Sequence, residues 1–162
     1  MAPRLTDNPK TFLKDESRYP FIHGSSADLT AADILADDSP GFRFFSIDGD
    51  HTADFVHHNL KPAHETLVDG GIVALDDYFD SNCPGVSIGT TKFLLDKNDG
   101  RLAVLLYAGN KVLLTTAEHH HVYRMLLEKF TDFRDDLANP DVDRFGYPAF
   151  AVDGIISGAL PG

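Results

Sequence analysis

The chain reads as a mixed α/β domain whose mostly parallel sheet closes on an antiparallel hairpin toward its carboxyl side. Two apolar runs, Phe42–Ile47 and residues 71–75, are separated by one helix-length of chain, as expected for strand, crossover helix and parallel strand. Further on, residues 101–107 and Lys111–Thr116 are joined at Ala108-Gly109-Asn110 and read as a hairpin. A length of 162 residues, 43% hydrophobic and 24% charged, suits one globular domain with a sizeable core.

Taken in order, residues 1–18 form a polar lead-in with at most a short helix around Lys10, and the domain proper spans 19–138. Residues 19–23 are a short strand candidate ending in Gly24-Ser25-Ser26. Thr30-Ala31-Ala32-Asp33 has the form of a capping box opening a short helix. Ser39-Pro40-Gly41 is a turn into the first strong strand. Beyond Thr52, the residues Val56, Leu60, Ala63 and Leu67 fall at helical spacing, and Pro62 is expected to kink or restart that helix. Asp69-Gly70-Gly71 turns the chain into the second strong strand. A helix is expected over 86–95, burying Ile88, Phe93 and Leu94. The longest helix is expected over 118–137, with Val122, Met125, Leu126, Phe130 and Phe133 as its core stripe. Residues 139–162, rich in Pro and Gly, are expected to pack as an irregular tail.

Lys and Arg number 14 against 25 Asp and Glu, a net charge of −11. That balance argues against nucleic acid as a partner, because phosphate contacts need a basic face, and it disfavours an anionic membrane surface. The lone Cys83 excludes an intrachain disulfide and a cysteine-based zinc site, and in Ser81-Asn82-Cys83-Pro84 it reads as a bystander in a loop. No apolar segment of signal-peptide or membrane-spanning length is present, so a cytoplasmic location is the expectation.

The functional signal is Ile47-Asp48-Gly49-Asp50-His51, answered by Leu75-Asp76-Asp77-Tyr78 with Asp48 and Asp76 28 residues apart. Each motif follows a strand, and ligands of open α/β sheets sit beyond the carboxyl ends of strands. If the two strands are neighbours, their tips lie about 5 Å apart. Asp48, Asp50, Asp76, Asp77 and His51 then share one small volume. Any single Asp at a strand end is most simply a turn or helix-start acceptor. Two such pairs on consecutive strands point instead to a site, because like charges held together need a cation or a proton. Asp48, Asp76 and Asp77 suit a hard cation such as Mg2+. Asp50 and His51, one step further on, are the candidates for taking a proton from a substrate hydroxyl. His57, His58 and His64 read as helix residues. The run His119-His120-His121 cannot converge on one ion, since successive helical side chains point in different directions, and it reads as chance or a solvated face.

The residues Phe44-Phe45-Ser46-Ile47-Asp48-Gly49-Asp50-His51-Thr52, then Asn59-Leu60, then residues 67–78 and Pro84-Gly85-Val86 resemble the carboxyl half of class I S-adenosylmethionine-dependent methyltransferases. The nearest subgroup is the macrocin O-methyltransferase-like set. The resemblance implies a Rossmann-like methyltransferase sheet, S-adenosylmethionine and Mg2+ as cofactors, and a small-molecule hydroxyl acceptor such as a sugar or natural product. It implies Asp48, Asp76 and Asp77 as metal ligands, and Asp50 or His51 as general base. Gly24, Ser25 and Ser26, with Asp48, correspond to its cofactor-binding positions.

The resemblance has a gap at the amino end. Before Asp48 the chain has only Gly24 and Gly41, no Gly-x-Gly occurs, and 47 residues are too few for the family's early strands and helices. The sheet is therefore expected to be incomplete at its amino end, leaving the Phe42 strand as an edge. The favoured explanation is a longer gene product. The others are a partner or second copy on that edge, which makes a homo-oligomer possible, and lost catalysis. Two rival functions follow. One is a degenerate, non-catalytic α/β module that works by association. The other is a haloacid dehalogenase-like phosphatase, for which Asp48-Gly49-Asp50-His51-Thr52 supplies the Asp-x-Asp-x-Thr pattern. Lys61 and Thr66 are poorly spaced for that family's remaining motifs.

Overall fold

The computed structural model describes residue 22 and residues 24–35, 39–129 and 137–152. The lead-in at 1–18 and the strand expected at 19–23 lie outside these, except for Ile22, which is exposed. The elements are helix α1 (Ala31–Ile34), strand β1 (Phe42–Ile47), helix α2 (Ala53–Thr66), strand β2 (Leu67–Leu75), helix α3 (Pro84–Asp96), strands β3 (Leu102–Ala108) and β4 (Lys111–Thr116), helix α4 (Ala117–Lys129), and strands β5 (Leu137–Arg144) and β6 (Tyr147–Val152). A 3-10 turn at Ser26–Asp28 precedes α1. The Thr30 hydroxyl and backbone N–H both reach Asp33 Oδ2, which completes the expected capping box.

Among the described residues, one six-stranded sheet has the order β1-β2-β4-β3-β6-β5. β1 and β2 are parallel, as are β3 and β6, while β4 opposes both of its neighbours and β5 opposes β6. Four strands thus share one direction and two oppose it, a mixed α/β sheet consistent with a Rossmann-like methyltransferase fold. The expected hairpin is present as β3 and β4. The expected irregular tail is not: over residues 137–152 the chain pairs as β5 and β6, and β6 lies beside β3. Pro and Gly content misleads there because an outer antiparallel strand tolerates proline.

β2 is buried along most of its length between two neighbours, whereas β1 alternates, with Arg43, Phe44 and Ser46 exposed. Among the described residues β1 pairs on one side only, and Phe44 is 61% exposed. The alternation of side chains divides the core between the two faces of the sheet. Val73, Leu75, Val112 and Leu114 pack with Val56, Leu60 and Ala63 of α2 and with Val86, Phe93 and Leu94 of α3. Ile72, Leu113, Leu106 and Phe150 pack on the other face with Tyr123 and Leu127 of α4.

Three helix expectations need correction. α2 continues through Pro62 without restarting there. Ile88 is 57% exposed, because α3 buries Val86, Gly89, Thr90, Phe93 and Leu94 instead. α4 is described only to Lys129, and its stripe faces outward: Val122, Met125 and Leu126 are exposed, whereas His120 is buried. The His120 ring nitrogen Nε2 meets Val104 O at 3.1 Å, so a histidine outside the expected apolar stripe lies on the packed side of the helix. Phe130 and Phe133 lie outside the described residues. No described helix is long and apolar enough to cross a membrane.

α3 sits close against the start of α2 because two of its residues have no side chain. A Cβ on Gly85 would meet His51 O at 2.1 Å, and one on Gly89 would meet Ala53 O at 2.4 Å. This close approach brings the segment before α3 to the turn after β1, where the candidate site lies.

Candidate functional site

The carboxyl ends of β1 and β2 are adjacent, as their spacing implied: Ile47 pairs with Leu75, and Asp76 N donates to Ile47 O at 3.1 Å. Beyond these tips the acidic residues go separate ways. Asp48 is exposed at the end of β1 and lines a cavity of about 200 Å³. Ser26, Leu29, Phe45, Phe55 and Asn59 are among the other residues of its wall. Of the cofactor-binding candidates, Ser26 and Asp48 therefore share one cavity. Gly24 is exposed and not part of its lining, and the Ser25 hydroxyl instead accepts from Ala27 N at 3.2 Å.

Asp76 and Asp77 open the loop after β2, and the turn of the β3–β4 hairpin closes over them. Asn110 O accepts from Tyr78 N at 2.8 Å, Asn110 Oδ1 accepts from Phe79 N at 3.2 Å, and its amide donates to Asp77 Oδ1. Asp77 has φ 54°, a left-handed conformation that Asp tolerates better than most residues. Asp76 Oδ1 accepts from Asp77 N at 3.0 Å, and its Oδ2 pairs with the Lys111 ammonium. The hydrogen bond from Lys111 holds the Asp76 carboxyl below the ordinary range, against an opposing effect of burial.

His51 bridges the two halves. Its Nε2 lies 3.1 Å from Asp77 Oδ2, and its Nδ1 lies 3.1 Å from Cys83 Sγ. The His51 side chain is 39% exposed and that of Asp77 26%, so solvent reaches the pair. A carboxylate only accepts, so Nε2 carries the proton and Nδ1 presents a lone pair to the thiol. Burial, then the charges of Asp80 and Asp77, push the Cys83 thiol above its usual range, which keeps it an S–H donor. Cys83 is therefore a partner of the candidate base and not the bystander its loop suggested. The sequence clue was the pair of glycines four residues apart, Gly85 and Gly89, just beyond it. Asp50, the other candidate base, accepts from Thr52 N at 2.9 Å and serves the turn into α2.

The site also has an aromatic margin. Tyr78, Phe79 and Tyr107 pack with ring centroids 4.9 to 5.6 Å apart. Tyr107 reaches this side through a β-bulge between Val104 and Leu106, which places it with Leu102 and Val104 on the α2–α3 face.

The donor set does not suit Mg2+. Among the described residues, the groups whose ligand atoms all lie within 4.8 Å of one another are His51, Asp77 and Cys83; Asp48 and Asp76 are not among them. Each oxygen of Asp76 and Asp77 already has a donor within the protein. Magnesium requires several free oxygens in near-octahedral array, and a thiol is a poor ligand for it. The histidine run is not simply a solvated face: His119 meets the Thr116 hydroxyl, and His120 is buried against Val104 O. The phosphatase pattern finds no further support, since Lys61 is exposed on α2 and the Thr66 hydroxyl donates to Pro62 O.

No curated protein matches the chain. Residues 6–78 match a family model described as a methyltransferase domain, a stretch that includes Asp48, His51, Asp76 and Asp77 and supports methyl transfer as the general chemistry.

Proposed function

We propose that the protein is an S-adenosylmethionine-dependent O-methyltransferase acting on a hydroxyl of a small molecule, with His51 as general base. The observation that supports this reading is that Asp48, at the end of β1, lines a cavity with Ser26, while His51, three residues further on, pairs with Asp77. The cavity combines apolar walls with the hydroxyl of Ser26, the carboxylate of Asp48 and the amide of Asn59. Those are the groups needed to sandwich a planar base and hold the polar edge of a nucleoside. Its volume of about 200 Å³ is below the roughly 300–1,000 Å³ typical of a whole small-molecule site. It therefore fits the nucleoside end of the cofactor and leaves the rest in the open mouth.

The bound cofactor supplies an electrophilic methyl group on a sulfonium. The chain supplies the proton acceptor. Asp77 holds His51 in the Nε2–H tautomer and stabilises the imidazolium that forms once Nδ1 has taken the acceptor's hydroxyl proton. The Cys83 thiol is a weak donor, so an incoming hydroxyl displaces it from Nδ1 at little cost. The proton of the acceptor hydroxyl would come to rest on His51 Nδ1 as its oxygen is methylated. The aromatic margin of Tyr78, Phe79 and Tyr107 offers the acceptor an apolar surface beside this base.

Titration calorimetry with S-adenosylmethionine tests the reading. Saturable heat that disappears in Asp48→Ala supports it. Silence from a folded chain, together with a stable dimer, favours the non-catalytic association module, to which the open outer edge of β1 and exposed Phe44 lend themselves.

A further inference from the structure

We propose that the Lys111 ammonium takes the place a divalent cation would hold beyond the tip of β2, so that the Asp76–Asp77 pair excludes Mg2+ and works as an internally neutralised, metal-independent site. Two adjacent carboxylates at a strand end need compensating positive charge or donated hydrogen bonds. Here both requirements are met within the chain. Asp76 Oδ2 faces the Lys111 ammonium, and Asp76 Oδ1 takes the Asp77 N–H at 3.0 Å. Asp77 Oδ1 takes the Asn110 amide, and Asp77 Oδ2 takes His51 Nε2 at 3.1 Å.

The position of the ammonium follows from the fold. Lys111 opens β4 and pairs with Ala108 across the hairpin turn. The residue before it, Asn110, is bound to the backbone N–H groups of Tyr78 and Phe79. The hairpin turn and the acidic loop are thus joined at three hydrogen bonds, and the root of the lysine is held beside Asp76. A dication entering this cluster would have to detach the ammonium and then tolerate it nearby. It would also have to break the contacts that orient Asp77 on His51. Magnesium gives up its water shell reluctantly, and this cluster has no free oxygen array to replace that shell.

The inference is independent of the cofactor assignment, because its test needs no S-adenosylmethionine. Calorimetry with Mn2+ alone, a magnesium surrogate, is to be run on the full chain, on Lys111→Met and on Lys111→Met/Asp76→Asn, with circular dichroism to verify folding. The wild-type chain is expected to show no saturable binding at up to about millimolar Mn2+, whereas Lys111→Met gains affinity by about tenfold or more. The double variant is expected to lose that gain. Saturable submillimolar binding by the wild type that Asp76→Asn removes would overturn the proposal. So would a folded Lys111→Met chain with no gain. If Lys111→Met does not fold, Lys111→Gln gives the same reading, and the wild-type measurement still decides.

Discussion

His51 Nε2, on the turn after β1, lies 3.1 Å from Oδ2 of Asp77, on the loop after β2, so the two strand tips meet through an imidazole–carboxylate pair. The carboxylate sets the tautomer of the ring and thereby decides which nitrogen is free to take a proton. Asp77→Asn presents an amide that can donate as well as accept, so the tautomer is no longer enforced. Methyl transfer in this variant is expected to fall by about 10²–10⁴-fold. Calorimetric affinity for S-adenosylmethionine is expected to stay unchanged, because the cavity lined by Asp48 and Ser26 does not include Asp77. Equal losses in both quantities would mean that Asp77 supports the fold rather than the base.

The thiol of Cys83 titrates above its usual range, chiefly through burial and then through the negative charges of Asp80 and Asp77. Removing one of those charges favours the thiolate. Asp80→Asn is therefore expected to shift the pH profile of iodoacetamide labelling toward lower pH. A profile that does not move would show that burial alone sets the thiol.

Asp76 is held below the ordinary carboxyl range in the folded state, foremost by the hydrogen bond from Lys111. A depressed folded value means that the ionised form favours folding. The contribution is fully present above the unfolded value of about 3.9 and is lost as the pH falls through the lower folded value. The melting temperature of the wild type is accordingly expected to exceed that of Lys111→Met near neutrality, with the difference shrinking below about pH 4. A difference that persists unchanged into strong acid would show that Lys111 stabilises the hairpin through its stem and not its charge.

Gly85→Ala places a methyl group where His51 O stands 2.1 Å away. The helix must retreat, at a cost of about 1–3 kcal/mol in urea unfolding. The retreat carries Cys83 off His51 Nδ1, so labelling of the thiol is also expected to change. Gly100→Ala is the control for crowding, because a Cβ there meets nothing within 4 Å, although its positive φ adds backbone strain.

Most of the parallel core was legible from local pattern. Phe42–Ile47 and the apolar end of β2 stood out as runs, and Val56, Leu60 and Ala63 marked the buried side of the helix between them. The strand tips were adjacent as the spacing required, but adjacency of backbones did not determine where the carboxylates turned. That depended on Asn110 and Lys111, which read as the end of a hairpin turn and the start of a strand, and only pairing β4 beside β2 brings them onto the acidic loop. Cys83 was misread for a similar reason, because its histidine partner is 32 positions away and meets it through close helix contact. On α4 the apolar residues Val122, Met125 and Leu126 outlined a face, and the face that packs is instead built from His120, Tyr123 and Leu127. Polar and amphipathic residues with good partners can occupy a buried face that a hydrophobic count does not recognise.

The irregularity in β3 between Val104 and Leu106 absorbs one extra residue without disturbing the pairs on either side of it. Deleting Leu105 would restore a regular pleat and leave Tyr107 opposite Val112, still on the side of Tyr78 and Phe79. The rings beside the acidic loop would keep their shared support. The strand leading to the turn can therefore shed this one residue without remodelling the mouth of the site, whereas a loss at a regularly paired position would turn every side chain beyond it to the other face.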